Sequence, residues 1–129
     1  MEIHHKTITV SLEDLDELNH VNNVRYVYWV NEIAKEHWHL KTDEALRERY
    51  FWVMISHTIT YKSSAILNDI ILVKTFVIQS EGVTSTRVVE MYNKETDKLL
   101  ARSETTWCFM DGKTKRPTRI PEFIISLFA

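Results

Sequence analysis

Asp14, Asp16, Glu17 and His20 share ten residues, "DLDELNHVNN", with the asparagines Asn19, Asn22 and Asn23. Carboxylates and imidazoles are the side chains that attack electrophilic centres or take protons from water. The stretch ends against an apolar run, "VRYVYWV", which begins at Val24. A helix starting there leaves free N–H groups and partial positive charge in its first turn. Donors so placed stabilise negative charge that develops on an oxygen. Each residue also has an ordinary use. An aspartate in a loop bonds its own backbone, a lone histidine is satisfied by a carbonyl, and Asn22 suits a helix N-cap.

The elements that must hold these groups are legible nearby. Asn23 to Leu40 contains no Gly or Pro and outruns an ordinary strand, which predicts a helix. Asn22 caps it, and Val21 is placed to staple onto Tyr26. Val24, Tyr26, Val27, Tyr28, Trp29, Val30, Ile33, Ala34, Trp38 and Leu40 cover most of its circumference. Arg25, Glu32, Glu36 and His39 keep to one narrow stripe. A helix apolar nearly all round is a buried helix, so the rest of the chain must wrap it.

Phe51–Tyr61, Ile70–Ser80, Thr84–Asn93 and Leu99–Met110 have the β-branched and aromatic content of strands. Asn68-Asp69, Glu81-Gly82, Asn93–Lys98 and Asp111-Gly112 separate or end them as turns. Ile8, Val10 and Leu12 alternate with Thr9 and Ser11, which predicts one earlier strand. In the last strand Ala101, Ser103, Thr105, Trp107 and Phe109 alternate with Arg102, Glu104 and Thr106, the pattern of a half-buried sheet. Short connections imply antiparallel pairing. "TDEALRERY" and the segment after Pro121 read as short helical turns. The expected fold is α+β, a single domain over residues 1–129, with an antiparallel sheet of about five strands wrapped around one long buried helix.

A chain of 129 residues suits one domain with a real core. The net charge of −2 and pI near 6.3 give no basic footprint, so no nucleic-acid partner is expected. The apolar runs are too short to cross a bilayer, and the start lacks a charged segment leading into an apolar one. A soluble, cytoplasmic protein with no membrane partner is expected. The single cysteine, Cys108, excludes an internal disulfide and reads as a small core residue. His37 and His39, two apart on a helix, face different ways and make a poor metal pair; neither metal nor cofactor is expected.

"DLDELNHVNNVRY" is similar to the opening signature of hotdog-fold thioesterases of the 4-hydroxybenzoyl-CoA thioesterase type. It is closer still to the plant acyl-acyl-carrier-protein thioesterases. There an Asp-x-Asp stretch runs through His-Val-Asn-Asn to a Tyr, with a Trp and a Glu inside the helix; these are Tyr26, Trp29 and Glu32 here. "ITYKSSAILND" resembles the family's second-strand exit and "TKRPTRIP" its C-terminal end, so the likeness covers nearly the whole chain. The resemblance implies a hotdog fold, a homodimer or homotetramer with active sites at subunit interfaces, and an acyl-CoA or acyl-carrier-protein substrate. It matches Asp16 to the catalytic carboxylate, which attacks the thioester or activates water. It matches the amide of Asn23, seven residues on, to the oxyanion donor. His20 would orient the water or bond the carbonyl, and Asn19, Asn22, Tyr26, Glu32 and Ser64 would border the substrate. Arg25, Lys113, Lys115, Arg116 and Arg119 would hold coenzyme A phosphates or form a solvated face.

The departures are specific. The CoA-dependent branch often has Gly where this chain has Asn19, and Gly-Asp where it has Asn68-Asp69. Asn is the residue that best replaces Gly at positive φ. The plant enzymes carry an Asn two residues after the catalytic Asp, where Leu18 stands here, and a Glu at the position of Ser64. Their full catalytic set does not transfer; Asp16 and the helix terminus remain. Three readings compete: a thioesterase, a hotdog hydratase or dehydratase on acyl thioesters, and a non-catalytic acyl-CoA binder. The hydratases pair their acid with a His across a Pro, which "DELNH" lacks.

Overall fold

Asn22 is extended, and its side chain accepts from the Val24 N–H, so the chain turns helical immediately afterwards. The resulting helix α1 spans Asn23–Lys41 in a computed structural model that describes residues 1–129. Before it come strand β1 (His4–Thr9) and a 3-10 turn (Leu12–Asp14); after it comes the short helix α2 (Glu44–Arg49). Four strands follow: β2 (Tyr50–Tyr61), β3 (Ile70–Glu81), β4 (Thr84–Asn93) and β5 (Leu99–Asp111). Helix α3 (Glu122–Leu127) lies behind Pro121. All five strands form one antiparallel sheet in the order β1-β3-β4-β5-β2. The expected α+β architecture and its four long strands are as read from the sequence, to within a residue at each end.

Register decides what faces α1. Asn93 pairs with Ile71 and Cys108 with Thr84, so β4 turns Ser85, Arg87, Val89 and Met91 to the same side as Ala101, Ser103, Thr105 and Phe109 of β5. The ladders slip at Val77/Gln79, Met54/Ser56 and Met91/Tyr92. Such bulges bend strands and raise their twist, which lets a sheet curve around a helix.

Two apolar clusters result. The first packs Tyr26, Trp29, Val30 and Ile33 of α1 onto Ile71, Val73, Val89, Met91 and Ala101. The second gathers Trp38, Phe109, Ile120, Ile124 and Phe128, so the C-terminal helix closes the far end of α1. Cys108 is buried, as expected.

Two expectations need correction. The first strand stops at Thr9, where its partner β3 begins at Ile70, and does not reach Leu12. Leu12 opens the 3-10 turn and is 74% exposed, because Asp14 Oδ2 captures the Ser11 amide and hydroxyl and pulls the backbone out of line. Second, α1 buries one stripe in the single chain: Tyr26, Trp29, Val30, Ile33, Ala34, His37 and Trp38. Val24, Tyr28 and Leu40, on its other side, are exposed.

Candidate functional site

The polar stretch folds into a small hairpin against the start of α1. Leu15 bridges Val21, the Asp16 amide donates to the His20 carbonyl, and the Asn22 amide donates to the Asp14 carbonyl. Asp16 closes its tip. Its Oδ1 accepts from the amides of Leu18 at 2.9 Å and His20 at 3.2 Å, while Oδ2 has no partner. Asn19 turns the chain at φ +62° and Asn68 does so at φ +71°, so both asparagines hold the left-handed conformation inferred from their family positions. His20 is exposed, and its ring makes no hydrogen bond within the chain.

Asp14 does a different job. It is 3% exposed, accepts from Ser11, and takes Arg25 Nε at 2.8 Å on Oδ1. Arg25 sits at the third position of α1, where the helix dipole disfavours a cation. The buried carboxylate offsets this. Arg25 is therefore tied to the hairpin through its Nε.

Asn23 is the first residue of α1, and its N–H has no partner in the chain. It lines a small, mainly polar cavity of about 210 Å³ with Val21, Tyr26, Tyr61 and the run Lys62, Ser63 and Ser64. Two bonds hold the β2–β3 loop there. The Val21 amide donates to the Ala65 carbonyl at 2.9 Å, and the Ala65 amide donates to the Tyr26 hydroxyl at 3.2 Å. Tyr26 is thus a buried strut; burial raises its phenol above the ordinary value. Tyr61 reaches from β2 to the Asn23 carbonyl.

The structure brings Asn23, Tyr26 and Ser64 to one cavity, while Asn22 caps the helix beside it and does not line it. Asp16, Asn19 and His20 share the adjacent hairpin tip and line neither of the two main cavities. Glu32 lies elsewhere, on a larger cavity of about 420 Å³ around the C-terminal half of α1.

That larger cavity was not legible as a site. Trp38, Tyr50, Phe51, Trp52, Trp107 and Phe128 give it aromatic walls, and Arg87 lies among them. Arg87 is 7% exposed, and burial lowers its guanidinium to about 10. Its Nη1 donates to Thr75 Oγ1 at 3.0 Å and to His37 Nδ1 at 2.9 Å. A guanidinium only donates, so His37 Nδ1 accepts and its proton sits on Nε2. Burial first, and then the charge of Arg87, pull His37 down to about 4. The available signal was parity: Arg87 shares the inward row of β4 with Val89 and Met91.

Residues 10–128 match the model of the thioesterase-like superfamily. No curated protein matches the sequence. Among solved structures, the chain is similar to a 1,4-dihydroxy-2-naphthoyl-CoA thioesterase from Synechocystis, at 15% identity and a TM-score of 0.85, over 98% of this chain and 96% of that one. A Staphylococcus aureus protein solved in complex with CoA gives 18% identity and a TM-score of 0.85, over 98% of this chain and 81% of that one. A 12:0-ACP thioesterase from Umbellularia californica gives 15% identity and a TM-score of 0.83, over 98% of this chain and 51% of that one. The shared fold is the hotdog. No helix is long and apolar enough to cross a membrane.

Proposed function

The chain belongs to the thioesterase-like superfamily, and on that premise we propose that it hydrolyses the thioester bond of an acyl-CoA or an acyl-carrier-protein. The observation that carries this is the unpartnered Asn23 N–H at the start of α1, open to a polar cavity. A thioester carbonyl seated there accepts from that amide, and the helix dipole favours the negative charge that forms on its oxygen. Asp16 supplies the attacking oxygen or takes the proton of the attacking water through its free Oδ2, while Oδ1 stays tied to the loop amides. The carbonyl carbon becomes tetrahedral and the C–S bond breaks. In the water route the thiol leaves with the proton Asp16 took. In the direct route water then cleaves the acyl–Asp16 anhydride, giving its proton to the thiolate and freeing the acid. His20, exposed beside Asp16, orients the water. Asn19 and Asn22 fix the backbone around both groups, and Ser64 faces the substrate from the β2–β3 loop.

The active unit is a cytoplasmic homodimer or homotetramer. Val24 and Tyr28 on α1, Leu18 in the hairpin, and Ile66 and Leu67 after Ser64 are exposed. β2 also forms an open sheet edge bearing exposed Val53 and Ile55. A second copy protects such edges and apolar surface. Sedimentation at micromolar concentration is expected to give an even-numbered oligomer; a monomer overturns this assembly.

Thiol release from a panel of acyl-CoAs tests the reaction. Asp16→Asn keeps the side-chain shape and is expected to lower turnover by about 10²–10⁴-fold, with a smaller effect on binding. The engagement of Asp16 Oδ1 by its own loop favours a second reading, a non-catalytic acyl-CoA binder. That reading prevails if the panel binds without releasing thiol. Release at the wild-type rate from Asp16→Asn removes Asp16 from the mechanism.

A further inference from the structure

Arg87 presents a cation without a counter-charge. None of the ion pairs in the chain includes it. Its two hydrogen-bond partners, Thr75 and His37, are neutral. Its Nε and Nη2 make no hydrogen bond within the chain and are not sealed from solvent, while the residue lines the larger cavity. Nε and Nη2 form the side-on fork of a guanidinium, which takes a carboxylate through two parallel N–H···O bonds. A buried charge held only by neutral groups is unfavourable without an anion.

The surroundings specify the anion's body. Six aromatic side chains line a space of about 420 Å³, and the Phe128 ring lies 5.4 Å from the guanidinium carbon. Lys35 and Arg47 line the same cavity, against the single carboxylate of Glu32. The cavity is of ligand size, and flat rings pack against aromatic walls edge-on or offset.

We propose that this cavity binds an organic carboxylate with an aromatic body, its carboxylate on Arg87 and its ring among Trp38, Trp52 and Phe128. The site lies at the opposite end of α1 from the thioester site. His37, which bonds Arg87, is fourteen residues past Asn23, about 21 Å along the helix axis. The proposal does not depend on the thioesterase reading; only the origin of the acid does. The acid is either the released product of an aryl thioester or an independent effector.

Titration of the full-length protein with 1-naphthoate at neutral pH tests it, followed by calorimetry and by the fluorescence of the wall tryptophans. The neutral, near-isosteric 1-naphthylmethanol is the control. Naphthoate is expected to bind about 10- to 100-fold more tightly, the worth of hydrogen bonds to a charged group. Arg87→Met keeps the volume and is expected to abolish that preference while still binding the alcohol. Equal binding of acid and alcohol to the wild type, or an unchanged preference in Arg87→Met, overturns the proposal. Should Arg87→Met fail to fold, the wild-type comparison decides alone. Octanoate binding as tightly as naphthoate overturns the aromatic assignment. Thiol release then identifies the source, and either pattern supports the site. Release of 1-naphthoate from 1-naphthoyl-CoA marks the acid as a product; altered thiol release from other thioesters, with no turnover of that one, marks a separate effector. Binding is read without any thioester, so its failure leaves the hydrolase reading standing.

Discussion

A backbone amide cannot be mutated away by changing its side chain, yet the position of Asn23 allows it to be removed. Proline is favoured at the first position of a helix, where its missing N–H had no intrahelical partner. Asn22 is already extended at φ −63°, ψ 134°, the conformation a following proline demands. Asn23→Pro should therefore fold with near wild-type thermal stability and lose about 10²–10³ in kcat, the cost of one oxyanion donor. Wild-type turnover would remove the amide from the mechanism. At this scale the sequence was informative where short-range geometry sets the role. Asn22 as cap follows from local backbone rules, and Asn19 and Asn68 as left-handed residues from the resemblance, which places Gly at both positions. Asp14 and Arg25 were harder to read, because their pairing joins a loop to a helix eleven residues on. Arg87 was missed for a related reason. An arginine in a strand reads as solvated until register places it on the inner face, and its contact with His37 spans fifty residues.

Element boundaries were legible wherever turn chemistry marked them, and one of these turns is more constrained than its composition implies. Gly82 turns the β3–β4 hairpin at φ +62° with open space around it. Gly112 ends β5 for a different reason. A Cβ there would run into the Glu48 carbonyl oxygen and meet that of Arg49 at 2.9 Å, and its amide donates to the Arg49 carbonyl at 2.7 Å. The end of α2 is thereby pressed against the end of β5, which seats the start of β2 beside it. Gly82→Ala should cost about 1 kcal/mol of strain at positive φ. Gly112→Ala pushes backbone against backbone and should cost more, about 1–3 kcal/mol or beyond. Urea unfolding of the two variants would show the order, and a reversed order would refute this account of the α2–β5 contact. The apolar circumference of α1 announced a helix that packs on the sheet, and overstated how much of it is buried. It did not reveal that one chain covers only the sheet-facing stripe and leaves Val24, Tyr28 and Leu40 exposed, because apolar composition does not say which side of a helix the sheet reaches.

At the scale of the whole molecule, the first strand, the long helix, the middle of the sheet and the C-terminus meet at His37. Its ring stacks on His4 of β1 at 5.3 Å, meets Phe128 beyond α3 edge-on at 4.9 Å, and accepts from Arg87 of β4. The charges around it oppose protonation in sum. Arg87, His4 and Lys41 lower its affinity for a proton, and only Glu2 raises it. His37 is at about 4 when folded against an ordinary 6.5. Above pH 6.5 both folded and unfolded chains carry it neutral, and its contribution to stability is complete. As pH falls below 6.5 the unfolded chain gains a proton that the folded chain refuses, so stability falls with pH until the folded value near 4 is passed. A gap of about 2.5 units at about 1.4 kcal/mol per unit sets an upper bound of about 3.5 kcal/mol on the loss. Protonation would also remove the Nδ1 acceptor and set imidazolium against guanidinium, which joins the acid sensitivity of the core to the cation that faces the larger cavity. Thermal melts from pH 7.5 to 4 should show Tm falling most steeply below pH 6.5 in the wild type. His37→Gln keeps an acceptor for Arg87 and has no proton to gain. Its Tm should start lower, since the ring contacts are lost, but fall less over the same range. Parallel curves for the two proteins would mean that acid acts elsewhere, on the Glu36 carboxylate that ties β1 to α1 and that Lys6 and His4 hold below the ordinary value.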